Sequence, residues 1–233
     1  MTTAQVFSTT RLFDGLPYSE VNQLLYTLRS RTIVQGQYIF NTGQEATCLY
    51  LLQDGLVKVS YTTPDGEARI LKICESGDIF GELFLGAYRL RIGQAQAMTD
   101  CTLYGLGEED LKFIMQRYPQ ISLNFMRHLV DSQRHTLARM HVLQRADAKS
   151  RLLGTLLHLS RTMCCQGGSY FTLNPSISQQ DIADMTGLNR STVSSLINRL
   201  REEGILGGTG RYLTIDVELI ADALWDEGFE LLE

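Results

Sequence analysis

Residues 181–200 read DIADMTGLNRSTVSSLINRL. Just ahead of them, Ser178-Gln179-Gln180-Asp181 offers a capping-box start, with Asp181 standing in for the usual Glu or Gln. A short helix with Ile182, Ala183 and Met185 inward follows, and Gly187 breaks it. Asn189 is placed to cap a second helix whose Val193, Leu196, Ile197 and Leu200 face the core, leaving Arg190, Ser191, Ser194 and Ser195 near its exposed N-terminal end. That geometry is a helix-turn-helix, whose second helix offers its N-terminal residues to the major groove. An ordinary helical hairpin with a solvated polar face would share the apolar pattern. Small Ala183, turn-forming Gly187 and the glycine-rich hairpin GILGGTGRYLTID at 204–216 occur together here, and together they favour DNA.

Upstream, Asp147 is an N-cap for a helix carrying Leu152, Leu153, Leu156, Leu157 and Leu159, followed by a glycine-containing loop, CCQGGSY, and a short strand, FTL. Before that comes one long helix after Pro119. Its Leu123, Met126, Val130, Gln133, Leu137, Met140 and Gln144 recur at alternating steps of three and four, which is a coiled-coil seam. Ile121, Phe125 and Leu129 supply a second apolar face for docking on its own domain, so the helix reads as the pairing element of a parallel homodimer.

Residues 32–106 read as many short strands, TIV, QYIF, CLYLL, LVKVSYT, ARILKI, DIF and CTLYGL, at the spacing of a barrel or sandwich. Thr63-Pro64-Asp65-Gly66 marks a hairpin between two of them. Phe13, Leu16, Val21, Leu24, Leu25 and Leu28 recur at helical spacing and predict a short helical cap on the strands. The expected architecture is α+β: an N-terminal β-roll or jelly-roll barrel for effector sensing over 1–118, a dimerisation helix over 119–145 and a C-terminal winged helix-turn-helix over 146–233.

The chain has 233 residues, 44% of them apolar, enough for more than one core. The opening MTTAQVFSTTRLF has neither a basic nor an apolar leader region, and no apolar run approaches a bilayer span, so a cytoplasmic location without membrane association is expected. Cys48, Cys74 and Cys101 fall in strand-like runs and read as buried thiols. The net charge of −5 works against nonspecific attraction to DNA. Residues 146–233 carry 7 Lys/Arg against 12 Asp/Glu, but seven of those carboxylates lie from Asp216 onward, leaving seven basic and five acidic groups in 146–215. Affinity depends on cations beside phosphates, so segregated acidity does not exclude it.

A β-barrel, a long dimerising helix and a winged helix-turn-helix, in that order, resemble the CRP/FNR family of bacterial transcription regulators across nearly the whole chain. SGDIFGELFL (76–85) looks like the family's phosphate-binding cassette, and SISQQDIADMTGLNRSTVSSLINRLREEGIL (176–206) like its DNA-reading module. In the family's cyclic-nucleotide binders the cassette is Gly-Glu-Leu followed by Arg-Ser/Thr-Ala. Gly81, Glu82 and Leu83 match, Arg91 matches the arginine after a one-residue deletion, and Ile92 and Gly93 replace the last two. On the long helix Thr136 matches the threonine that contacts adenine, while Leu137 stands where cyclic-AMP-responsive members have a serine. The resemblance implies that Arg190 reads guanine and Thr192 contacts phosphate, with Ser191 and Ser195 departing from the family's Glu and Arg, and Gln179 from its Arg. The DNA-contacting set is thus Ser178, Gln179, Asn189, Arg190, Ser191, Thr192, Ser194 and Ser195, on an inverted-repeat duplex, with RNA polymerase as the further partner the family implies.

The effector is open between cyclic AMP and another small anion, since Arg91 supplies charge while Ile92 and Leu137 make the pocket more apolar. A ligand there would act through the long helix and a hinge at Arg145–Asp147. Iron–sulfur sensing lacks ligands, because no cysteine precedes Cys48. His128, His135, His141 and His158 lie on predicted helices without a partner at metal spacing, so no metal or haem is expected and each reads as a surface or seam histidine. Vicinal Cys164-Cys165 is a redox candidate. The nucleotide-binding and hydrolase motifs G-x-x-x-x-G-K-[ST], G-x-G-x-x-G, G-x-S-x-G and H-E-x-x-H are absent, which argues against an enzyme. A module that regulates a protein partner without touching DNA is the remaining alternative.

Overall fold

The computed structural model describes residues 10–145, 147–163, 170–210 and 212–226. Ala146 of the helix connection, the vicinal Cys164 and Cys165, and Glu227, Glu230 and Glu233 of the acidic tail lie outside them. The chain forms two compact units, Met1–Ser132 and Gln133–Glu233.

In the first unit a 3-10 turn at Arg11–Phe13 leads through Pro17 into α1 (Tyr18–Thr27). Leu12, Phe13, Val21, Leu24 and Leu25 are buried, and Leu16 and Leu28 pack against them. Eight strands follow: β1 (Ser30–Ile33), β2 (Tyr38–Phe40), β3 (Cys48–Asp54), β4 (Val57–Thr62), β5 (Ala68–Cys74), β6 (Ile79–Phe80), β7 (Gln94–Ala97) and β8 (Cys101–Gly107). They make two four-stranded sheets, ordered β1-β8-β3-β6 and β2-β7-β4-β5. The near-continuous apolar run of β3 follows from burial on both faces. Leu49 and Leu51 join the cluster under the helices, whereas Tyr50 and Leu52 point into the barrel interior with Val57, Phe80 and Leu103.

The β4–β5 hairpin closes where Pro and Gly predict it: Thr63 N–H donates to Glu67 O at 2.9 Å, and Gly66 takes φ 84°. Strand β7 has no counterpart in the sequence reading, because in Gln-Ala-Gln-Ala the buried positions, Ala95 and Ala97, have low strand propensity. Cys74 and Cys101 are buried free thiols as expected, but Cys48 is only half-buried. Burial pushes the Cys74 thiol up to about 12.

Beyond α2 (Glu108–Arg117), α3 (Pro119–Leu143) is the long helix. Ile121 and Phe125 are buried, yet Leu129, the third residue of that predicted face, is 38% exposed, so docking ends after two turns. Asn124, 3% exposed, anchors the start of this helix by donating to the carbonyls of Leu12 and Asp14.

In the second unit Asp147 caps α4 (Ala148–Met163), its Oδ1 accepting from Ser150 N–H at 2.8 Å. Burial works against the Asp147 carboxylate, but the hydrogen bonds from Ser150 outweigh it and hold its pKa below the ordinary value. Leu152, Leu153, Leu156, Leu157 and Leu159 of α4 form the core. Strand β9 (Tyr170–Thr172), α5 (Gln179–Thr186), α6 (Arg190–Glu202), β10 (Leu206–Gly207) and β11 (Thr214–Asp216) follow, with the strands in order β10-β11-β9. The acidic tail, read above only as charge, forms α7 (Val217–Asp226) under an Asp216 cap that accepts from Glu218 and Leu219 N–H. Among the described residues, no helix is long and apolar enough to cross a membrane.

Candidate DNA-reading helix and effector cassette

The reading helix is held from below by α5. Ser178 and Asp181 form the capping box: Ser178 Oγ accepts from Asp181 N–H at 3.1 Å, and Asp181 Oδ2 accepts from Ser178 N–H at 2.9 Å. The Ser178 hydroxyl also donates to Asp181 Oδ2 at 2.6 Å, so it serves the cap on both sides. Thr186 Oγ1 donates back to Ile182 O at 2.9 Å, and Gly187, at φ 69°, ends α5 with its N–H on Ala183 O. A side chain at 187 would be strained in that left-handed conformation.

Asn189 has N-cap backbone angles, φ −72° and ψ 146°, but its side chain makes no capping hydrogen bond, in contrast to the sequence reading. The first amides of α6 are therefore not closed by that side chain. Val193, Ile197 and Leu200 are buried on one face, with Leu196 half-buried beside them. Arg190, Ser191 and Ser195 are exposed, Thr192 and Ser194 half-buried, and Gln179 at the start of α5 half-buried. At the other end of α6, Arg201 Nη2 donates to Gly210 O at 3.4 Å and Tyr212 O at 3.5 Å, tying the wing between β10 and β11 to the helix.

The cassette lies in the first unit. Gly81, at φ 82°, turns the chain from β6 into a 3-10 helix at Glu82–Leu85, where Phe84 is buried and Leu83 is 60% exposed. Arg91 is 6% exposed and points inward. Its Nη1 donates to Gly81 O at 2.9 Å, its Nη2 donates to Cys48 O, and its guanidinium lies 4.2 Å from the Phe40 ring centroid. Nε is buried without a hydrogen bond among the described residues. The structure thus brings Arg91 onto Gly81, with Glu82 half-buried next to it. Thr136 is exposed and belongs to the other compact unit.

Lys72 was not legible as part of this region. Its Nζ donates to Ile79 O at 3.0 Å; burial opposes its charge, but Cys74, Asp78 and Glu82 outweigh that and raise its pKa. Two histidines differ from the expectation of surface or seam positions. His128 is half-buried beside Phe125, and burial, then the Lys72 charge, lowers its pKa. His158 is driven down to about 4 by burial and by the neighbouring His135, Arg139 and Arg161. Among the described residues, no group of three or more His, Cys, Asp or Glu is arranged to hold a metal ion.

Two family descriptions match: "Cyclic nucleotide-binding domain" over residues 30–118 and "Crp-like helix-turn-helix domain" over 150–222. The "Cyclic AMP receptor protein" of Thermus thermophilus is 32% identical over 196 residues, covering 84% of this chain and 87% of that protein. The "Fumarate and nitrate reduction regulatory protein" of Escherichia coli is 26% identical over 188 residues, covering 81% and 75% respectively. Among solved structures, FixK2 from Bradyrhizobium japonicum superposes with a TM-score of 0.71 at 23% identity, covering 84% of this chain and 96% of that one, a likeness of fold.

Proposed function

The chain belongs to the CRP/FNR family of bacterial transcription regulators, and from that membership we propose a homodimer that reads an inverted repeat in double-stranded DNA under the control of a small anion in its barrel. It is a DNA-binding regulator with an effector-type domain, and not an enzyme. In functional terms 1–118 sense, 119–145 pair and 146–233 read.

One observation carries the reading of DNA. Arg190, Ser191 and Ser195 are exposed at the start of α6 while Val193, Ile197 and Leu200 of the same helix are buried, so the polar end is held outward by a packed back. Ser194 and Thr192 flank it, and Ser178, Gln179 and Asn189 complete the contacting set. Pairing rests on Leu123, Met126, Val130, Leu137 and Met140, which are 41–61% exposed on one side of α3, with Gln133 in register between them. RNA polymerase is the protein partner and the cytoplasm the compartment that this function entails.

Cyclic AMP is the first effector candidate, because the Thermus relative is named a receptor for it. Another small anion is the second. Arg91 is already hydrogen-bonded to Gly81 and Cys48, so a cyclic phosphate must compete with two carbonyls for its guanidinium, which predicts weak nucleotide binding. Calorimetry with cyclic AMP and cyclic GMP tests this on the wild-type protein.

Selection of binding sites from random duplexes tests the function as a whole. The expected product is an inverted repeat with half-sites about one helical turn apart, bound with an affinity that falls steeply as salt rises. Enrichment of no sequence, with no salt-dependent binding, would leave the protein-partner reading instead.

A further inference from the structure

Within the second unit, α3 presents a second working face. His135 meets His158 of α4 edge-on, with ring centroids 5.4 Å apart. Arg139 Nη2 donates to the carbonyl of Met185 at 3.1 Å. Val142 is 5% exposed and lies so close to Gly154 that a Cβ added there would stand 3.0 Å from both Val142 methyls. Positions 135, 139 and 142 are spaced by four and three. At about 100° per residue they cluster on one side of the helix, and the seam positions Gln133, Leu137 and Met140 cluster about half a turn away. The C-terminal half of α3 thus has its pairing side and its α4–α5 side back to back.

Met185 is in the last turn of α5, whose final carbonyls have no partner within the helix. The Arg139 guanidinium satisfies one of them and matches the negative end of the α5 dipole. Gly187 and the start of α6 follow at once. His158, neutral at ordinary pH, adds no charge against Arg139 in the small cleft the two line with Val142, Gly154, Thr155 and Met185.

We infer that Arg139 is a positioning residue for DNA recognition: together with the Val142–Gly154 contact it locks α5, and through it α6, to the dimerisation helix, so that the seam dictates the separation of the two reading helices. The inference rests on the dimeric reading proposed above. It moves the mechanical link from the Arg145–Asp147 connection to a contact outside the connection itself.

The test uses full-length Arg139→Gln, Arg139→Lys and Gly154→Ala on the selected repeat and on versions lengthened or shortened by one base pair. Wild-type protein that binds no selected repeat defeats the dimeric DNA reading itself and removes the ground of the inference. Given wild-type binding, Arg139→Gln is expected to lose about tenfold on the native spacing, the scale of one charged hydrogen bond, and less on the altered spacings. The slope of log affinity against log salt stays unchanged, since no phosphate contact is lost. Arg139→Lys, which keeps a donor, recovers part of the loss. Gly154→Ala, a substitution that favours the helix itself, displaces Val142 and shifts or flattens the spacing preference independently. A wild-type spacing preference in both Arg139→Gln and Gly154→Ala overturns the inference, as does a salt slope that drops by about one in Arg139→Gln. Should Arg139→Gln fail to fold, Gly154→Ala alone decides by the same criterion.

Discussion

Arg91 in the barrel and Arg190 in the reading unit are both matched to ligand-contacting arginines of the family, the one on a phosphate and the other on guanine, yet the fold treats them in opposite ways. Arg91 is 6% exposed, shared between two carbonyls and an aromatic ring, whereas Arg190 stands exposed at the first turn of α6. A guanidinium whose donors are already used is part of the structure, and a ligand must displace protein to reach it. An exposed one on a rigid helix gives up only water. The contrast teaches that a motif match locates a charge, and the surrounding backbone decides whether that charge is available.

The same reasoning applied to apolar groups gives the largest expected effect. Side chains left exposed along α3 are those available for a partner, so Val130→Glu with Leu137→Glu, which would bury like charges in the seam, is expected to split the dimer entirely. Sedimentation showing an unchanged dimer would remove the seam. Arg91→Met comes next: two half-buried carbonyls lose their donor, and the barrel should be destabilised by ~2–4 kcal/mol in urea unfolding. A loss under ~0.5 kcal/mol, the range of a surface substitution, would erase the contrast with Arg190. Arg190→Ala should leave stability within that range but lower affinity for the selected site by ~1–3 kcal/mol and relax one base pair per half-site. Equal losses on specific and random DNA would reduce Arg190 to a phosphate contact.

The smallest effect sharpens the comparison between the two units. Burial, then Asp78, raises the Glu75 carboxyl to about 7, so the folded barrel holds a proton that the unfolded chain has released. Its stabilising contribution is complete below the ordinary carboxyl value near 4.5 and is lost as pH rises to about 7. His158 behaves oppositely: held near 4, it makes the reading unit lose stability as pH falls from the ordinary 6.5 toward 4. Glu75→Gln and His158→Gln should each flatten one limb of the urea-unfolding profile between pH 4 and pH 7. Limbs that persist in both variants would assign them to other groups.

Much of this was legible in the sequence, for local reasons. The β4–β5 turn, the Asp147 cap, the Ser178–Asp181 box and Gly187 are each decided within four residues, and each stands where the pattern put it. What was missed depends on residues distant in sequence. Gln-Ala-Gln-Ala becomes a strand only because β2 and β4 flank it. Asn124 acquires its role from carbonyls more than a hundred residues earlier. Arg139 looks like a surface arginine until the end of α5 folds against it, and His158 like a surface histidine until α3 covers it. Asn189 errs in the other direction, since its type suits a cap that its side chain does not make.

Gly93 constrains how closely this barrel could come to the Arg-Ser/Thr-Ala pattern of the family's cyclic-nucleotide binders. A Cβ at that position would stand 2.6 Å from the carbonyl oxygen of Ser60, closer than real side chains tolerate, and the obstacle is backbone. The alanine that cyclic-nucleotide binders carry there cannot be introduced alone, because β4 must first move away. A serine in place of the exposed Ile92 meets no such obstacle, whereas the pair does. An evolutionary or engineered route that gives this barrel the full Arg-Ser/Thr-Ala pattern therefore runs through a shift of strand β4.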